Sequence, residues 1–329
     1  MLGDTARLAE LTDPLIETLR RRQDAWFLQW SLLESAFTPI AHGRWDEGAA
    51  RLDEALAISR RMGDRVSRGL ILNAQCWLAR CRGDYARALQ VGEESVHTTS
   101  DTGTRMWLGW TTTMLGVVRA DLRVWPEALE QLESALDAAD AIQARAQVFG
   151  ALGSLAWVRL QAGDRTGAAA AAERWDAVVD DVRVSAGQAY LYQRQSYTDR
   201  ARVAVALGDV ARAAEILAAI REPMERFGIR DGLAAVHAGL AACAEARGDL
   251  AGAEALLARG LEAAGEDGLP AARLELRIGL ARLGGPADPA RELVERMARS
   301  VGDETLAERF RSAALRELGR PARLAAEQR

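Results

Sequence analysis

The chain has 329 residues, 49% of them hydrophobic, with 42 basic and 47 acidic side chains and a formal net charge of −5. Every basic residue is an arginine, which excludes chemistry built on a lysine, such as a Schiff base or a P-loop phosphate site. The acidic balance and lack of a basic block argue against nucleic acid as a partner, and no apolar run approaches the roughly 18–20 residues of a membrane span. Without a basic-then-apolar leader at Met1-Leu2-Gly3-Asp4-Thr5, a cytoplasmic protein with no membrane partner is expected.

In chain order, the first predicted element is a helix over about residues 4–22. Leu8, Leu11, Leu15, Ile16 and Leu19 give it an apolar stripe that Pro14 interrupts. After it, one motif recurs. Gly-Asp-x-Ala-Arg stands at Gly3-Asp4-Thr5-Ala6-Arg7, Gly83-Asp84-Tyr85-Ala86-Arg87 and Gly208-Asp209-Val210-Ala211-Arg212. Looser copies are Gly43-Arg44-Trp45, Gly163-Asp164-Arg165 and Gly248-Asp249-Leu250. Arg123-Val124-Trp125 fills a gap without its glycine, and Gly285-Pro286-Ala287 ends the series. The steps are 40, 40, 40, 40, 45, 40 and 37 residues, a period that marks a repeat architecture.

Each anchor lies between two stretches of helical period. From Leu70 to Ala79 and from Ala86 to Val96, apolar residues recur every three or four positions. The glycine suits the left-handed end of the first helix, and the aspartate can cap the second. Small residues stand seven before the anchor (Ala36, Cys76, Gly116, Ala156, Ala201, Ala241) and five after it (Gly48, Ala88, Ala128, Ala168, Ala213, Ala253, Ala290). Two helices approach closely only at such positions. Twelve after the anchor the rule holds at Ala55, Ser95, Ala135 and Gly260 but breaks at Trp175 and Ile220, beside the 45-residue step. The stack is expected to change its geometry there. Because Gly3 holds the turn position, the chain starts on a half-repeat, either an unusual cap or a segment of a longer protein. Glu304 to Leu318 is predicted as a last helix, stopped by Gly319-Arg320-Pro321 and followed by a polar tail to Arg329.

This pattern resembles the tetratricopeptide repeat (TPR) family over nearly the whole chain. The small residue of the family's first helix matches Cys76 or Gly116. Its Gly-Asp-Tyr turn matches Gly83-Asp84-Tyr85, and its second-helix alanines match Ala128 and Ala135. The period exceeds the family's usual 34 and the closing proline is missing. The chain looks most like the long-repeat helical regions of large bacterial signalling ATPases, cyclases and transcription regulators. The resemblance implies an all-α, right-handed superhelical solenoid of about seven antiparallel hairpins over residues 1–302. A capping helix and polar tail over 303–329 complete the expected organisation.

The sequence shows no catalytic or metal-binding constellation. His42, His97 and His237 lie far apart, without metal-ligand spacing. Cys76 and Cys81 are five apart, which matches neither a C-x-x-C motif nor a zinc half-site, and reduced, inert thiols are expected at these positions and at Cys243. Glu93-Glu94 and Asp180-Asp181 read as solvated helix faces. No nucleophile elbow or phosphate loop occurs, so no enzyme and no cofactor are expected.

The remaining signal is nine tryptophans against four tyrosines and five phenylalanines. In the family, first-helix positions −13, −10, −6, −3 and −2 from the anchor line the concave groove. Carried over residue by residue, these positions select Trp30, Phe37, Asn73, Trp77, Arg80, Trp110, Thr113, Trp157, Gln195, Thr198 and Arg202. Positions −13 and −6 share a helical face two turns apart, giving an aromatic stripe in the N-terminal half and a polar stretch beyond it. Two readings stay open. The tryptophans either anchor a bound segment or pack between adjacent hairpins. Trp45, Tyr85 and Trp125 share the position two after the anchor and read as turn-packing aromatics. A non-catalytic scaffold for a protein or peptide partner is expected, with self-association possible. The alternative is a sensor or regulatory segment of a larger signalling protein, binding a small effector or associating with itself.

Overall fold

A computed structural model describes residues 5–185 and 189–319, which form sixteen helices and no strand. α1 (Thr5–Arg22) precedes seven hairpins. Hairpins 1 to 3 are α2 (Ala25–Ala41) with α3 (Trp45–Met62), α4 (Arg65–Arg82) with α5 (Tyr85–Asp101), and α6 (Arg105–Asp121) with α7 (Trp125–Asp140). Hairpins 4 and 5 are α8 (Arg145–Gln161) with α9 (Arg165–Ser185) and α10 (Ala189–Leu207) with α11 (Val210–Phe227). Hairpins 6 and 7 are α12 (Arg230–Ala246) with α13 (Leu250–Ala264) and α14 (Pro270–Arg282) with α15 (Asp288–Arg299); α16 (Glu304–Leu318) follows. The architecture is an all-α helical-repeat solenoid. Among the described residues no helix is long and apolar enough to cross a membrane.

The turns form as the repeat motif dictates. Gly83 has φ +74°, and Asp84 accepts from the Arg87 amide at 3.1 Å, capping α5. Asp164, Asp209 and Asp249 cap α9, α11 and α13 in the same way. At the copy without glycine, Arg123 itself takes φ +54°, a conformation costing a side-chain-bearing residue on the order of 1 kcal/mol. The last turn departs from the sequence reading by one residue. Gly284, not Gly285, is left-handed at φ +101°. Its amide bonds the Ala281 carbonyl and that of Gly285 the Leu280 carbonyl, repeating the pattern at Gly83 and Asp84. In a Gly-Gly pair the motif alone does not show which glycine turns.

The small positions are the helix contacts. Ala36, Cys76, Ala156 and Ala201 are fully buried, as are Ala88, Ala128, Ala168 and Ala213. A Cβ added at Gly116 would stand 2.8 Å from Leu132 Cγ, so α6 and α7 leave no room there even for alanine. At the long step the packing changes. α9 extends to 21 residues, and Trp175 fills the space with its ring 4.8 Å from Phe149 and 5.3 Å from Tyr197. Its indole donates to Ser196 Oγ at 2.8 Å. A Cβ at Gly153 would meet the Ser196 carbonyl oxygen at 2.3 Å, so α8 and α10 touch backbone to backbone.

The stack curls until the first-to-second-helix turns of hairpins 1 to 3 meet the structure near its C-terminal end. Arg230 and His42 bring hairpins 1 and 6 together, the former near Gly43 and the latter near Gly228. The Ala86 amide, an orphan donor at the start of α5, bonds the Ser300 carbonyl at the end of α15 at 2.7 Å. Beyond hairpin 3, Arg123 pairs with Glu317 of α16 at 3.1 Å, and Glu127 with Arg309 at 2.6 Å. At the other end, Ile16 and Leu19 of the α1 stripe are buried while Leu11 and Leu15 are nearly half exposed. The expected turn at Gly3-Asp4, the Leu8 side chain and the tail 320–329 lie outside the described residues.

Replacing Trp175 by alanine should remove about 3–5 kcal/mol of stability, whereas Trp26→Ala, at a 47% exposed site, should change it by less than about 0.5 kcal/mol. Urea denaturation followed by circular dichroism measures both.

Candidate functional site: the lumen of the solenoid

The first helices of the hairpins face inward and enclose a lumen of about 1640 Å³, and all eleven residues selected from the sequence stand on its wall. They do so in different ways. Phe37 on α2 stacks on Trp77 of α4 with centroids 5.5 Å apart. Trp77 is buried, and the Arg194 guanidinium lies 5.1 Å above its ring from across the lumen. Trp157 carries the Arg202 guanidinium at 5.3 Å. Trp30, Phe37, Trp110 and Trp157 are half-buried. Packing between hairpins and lining the lumen therefore describe different faces of the same rings. Thr113 and Thr198 donate their hydroxyls to carbonyls of their own helices, at 2.7 Å to Gly109 and 3.0 Å to Gln195. Thr198 is only 1% exposed, so it offers the lumen little polar surface.

The polar residues form one chain across the lumen. Arg80 grips Asp121 with two bonds, Nε to Oδ2 at 2.6 Å and Nη2 to Oδ1 at 3.0 Å, and reaches Gln195 Oε1 at 3.2 Å. Gln195 donates to Asp199 Oδ1 at 2.8 Å, and Ser154 donates to Oδ2 at 2.8 Å. Arg202 bridges Asp199 at 2.9 Å and Glu275 of α14. This chain ties hairpins 2, 3, 4, 5 and 7 together. Burial alone would lower the pKa of Arg80, but Asp121 overrides it and keeps the guanidinium charged. Burial, reinforced by the Asp121 charge, drives the Tyr85 hydroxyl well above its ordinary range. Burial likewise pushes the Cys76 thiol up to about 12, where no reactive thiolate forms. At Asp199, burial outweighs Arg202 and the bonds from Ser154 and Gln195, raising the carboxyl to about 6.

Several wall residues were not singled out from the sequence: Trp107, Asp121, Arg123, Arg194, Asp199, Glu275 and Glu317. Asp121 occupies position −2, one of the five groove positions, and was legible there. Arg123 was visible only as a missing glycine. Its left-handed backbone aims the guanidinium at the Asp121 carbonyl, at 2.6 Å, and at Glu317. Asp199 stands at position −9, which lines the lumen as Glu34, Ala74, Met114 and Ser154 in the earlier hairpins but is not one of the five groove positions. Arg194, at −14, has no lining counterpart in those hairpins. Of the turn aromatics, Tyr85 is fully buried and donates to Asp121 at 3.3 Å. Trp45 packs against the core, while Trp125 also borders the lumen. Trp30 Nε1, Asn73 Oδ1 and Arg202 Nε are buried in the wall without a hydrogen-bond partner among the described residues. Among the described residues no group of three His, Cys, Asp or Glu side chains could hold a metal.

Because the carboxyl of Asp199 is raised in the folded chain, its neutral form is favoured there. That stability is present below the ordinary carboxylate range and lost as pH rises through about 6. Relative to Asp199→Asn, the wild type should lose on the order of 1–3 kcal/mol between about pH 4 and 7. Parallel urea titrations across that range measure the difference; a constant difference would refute the assignment.

No family model and no curated protein matches the sequence. Among solved structures the fold is similar to a Rap protein in complex with competence and sporulation factor. That pair has a TM-score of 0.53 and 12% identity over 85% of this chain and 77% of that one. A tetratricopeptide repeat protein from Parabacteroides merdae ATCC 43184 aligns with a TM-score of 0.41 and 13% identity, over 87% and 98% of the two chains. With the 40-residue hairpin period, the first likeness shows the fold to be an all-α helical-repeat solenoid of the TPR-like kind.

Proposed function

We propose that the chain is a non-catalytic binding scaffold that holds a polypeptide segment in its lumen, with Trp30, Phe37, Asn73, Trp77, Arg80, Trp110, Thr113, Trp157, Gln195, Thr198 and Arg202 as the wall around it. The observation that carries this reading is the lumen itself. At about 1640 Å³ it exceeds the roughly 300–1,000 Å³ of small-molecule sites, and indoles dominate one part of its wall. Six arginines and six carboxylates balance one another on that wall, so apolar contact rather than net charge sets its overall character. The Rap protein of like fold, solved with competence and sporulation factor, supports a bound partner. Three buried cysteines outside any disulfide among the described residues fit a reducing, cytoplasmic compartment. In this reading residues 1–302 form the binding solenoid, and 303–329 supply the helix that closes its end.

The test is a random peptide library selected on the wild-type chain, with hits measured by fluorescence anisotropy. Trp110→Leu and Asn73→Leu should each weaken them by about tenfold or more, with melting unchanged. Glu254→Arg, on the exposed side of α13, should leave them unchanged. Equal binding by all variants would remove the lumen as the site.

The alternative reading, a regulatory segment that associates with itself, has the exposed Leu11 and Leu15 of α1 in its favour. It predicts a dimer in analytical ultracentrifugation that Leu11→Glu with Leu15→Glu abolishes; a monomeric wild type ends it.

A further inference from the structure

The lumen shows what its indoles hold. Arg194 lies on Trp77 at 5.1 Å and Arg202 on Trp157 at 5.3 Å, both within cation–π range. A second indole cluster stands at the N-terminal end of the lumen and carries no guanidinium among the described residues. Trp26 and Trp30 of α2 have centroids 6.2 Å apart at 53°, and Trp30 and Trp107 of α6 are 6.3 Å apart at 47°. Rings inclined in this way do not stack face on face, and Phe27 meets Trp26 edge to face at 4.8 Å. Trp26 is 47% exposed, so the cluster opens to solvent at the rim, while Trp30 and Trp107 line the lumen. Glu34, one turn beyond Trp30 on α2, also lines the lumen, and the whole chain carries −5. Trp30 Nε1 is a buried donor without an acceptor among the described residues.

We infer that the Trp26–Trp30–Trp107 cluster recognises a basic side chain of the bound segment, an arginine or lysine whose cation lies against the indole faces. Trp30 Nε1 donates to a carbonyl oxygen of the same segment. Both open features are then satisfied by one residue, the ring faces by its cation and the indole donor by its backbone carbonyl. The chain's own Arg194 and Arg202 meet Trp77 and Trp157 in the same manner, and the acidic balance of the protein attracts rather than repels such a segment. This inference rests on the lumen as the binding site and narrows what enters it.

The experiment titrates the full-length chain, labelled with 15N at the tryptophan indoles, with three probes. These are N-acetyl-arginine N-methylamide and its citrulline and norleucine counterparts. The arginine probe should move the Trp26, Trp30 and Trp107 signals and bind at least about threefold more tightly than the neutral isosteric citrulline probe. Trp107→Leu should erase that preference. Trp26→Leu, at the exposed rim, should reduce it in a chain whose circular dichroism is unchanged. Equal binding of the citrulline or norleucine probe at these indoles would overturn the cationic assignment while leaving the lumen as the site. An arginine probe that moves only Trp77 and Trp157, or none of the indoles, would overturn it as well. Failure of the lumen itself would show separately, as selected peptides indifferent to Trp110→Leu and Asn73→Leu.

Discussion

Close helix approach governs this molecule. Where Ala36, Cys76 and Ala156 face the alanines of the partner helices, side chains are small enough for the two helices of a hairpin to pack almost backbone to backbone. Larger residues elsewhere hold neighbouring hairpins apart, and the repeated imbalance curves the stack. Repeated with little variation, that curvature brings the turn of one hairpin onto a hairpin five further on and encloses the lumen. The lumen is thus a product of the repeat, while its contents are set by the positions the repeat leaves free.

Two kinds of interaction use that freedom. Aromatic rings occupy the N-terminal wall, where Phe37 and Trp77 stack across adjacent hairpins. Charged groups cross the middle, where α10 carries Arg194, Gln195, Asp199 and Arg202 to meet Trp77, Arg80 and Glu275. Buried ion pairs contribute little net stability, but breaking one costs about 3–5 kcal/mol because the survivor is left unpaired. The chain from Asp121 to Glu275 therefore fixes the relative placement of its hairpins more than it deepens the fold.

The fold was legible because its cause is periodic. The anchors, caps and small contacts each recur, so helix hairpins followed from spacing alone, and the groove positions followed from the resemblance. What escaped had other causes. The turn at Gly284 was hidden by a neighbouring glycine. Asp199 stands at −9, a lining position outside the five groove positions, and Arg194 has no lining counterpart in the earlier hairpins. Glu317 and Arg309 meet the third hairpin only because the stack curls. Whether tryptophan packs or lines could not be read from position, because Trp77 has one face against Phe37 and the other under Arg194.

The bond from the Ala86 amide to the Ser300 carbonyl joins residues 214 apart. In an open solenoid each repeat touches only its neighbours, so folding can start anywhere and ends can fray one unit at a time. A seam between distant units changes that. Hairpins 2 and 7 must both be in place before either gains from the contact, which raises contact order and slows the closing step. Once closed, loosening either end disturbs the other, and a chain built as a linear array behaves as a cooperative ring.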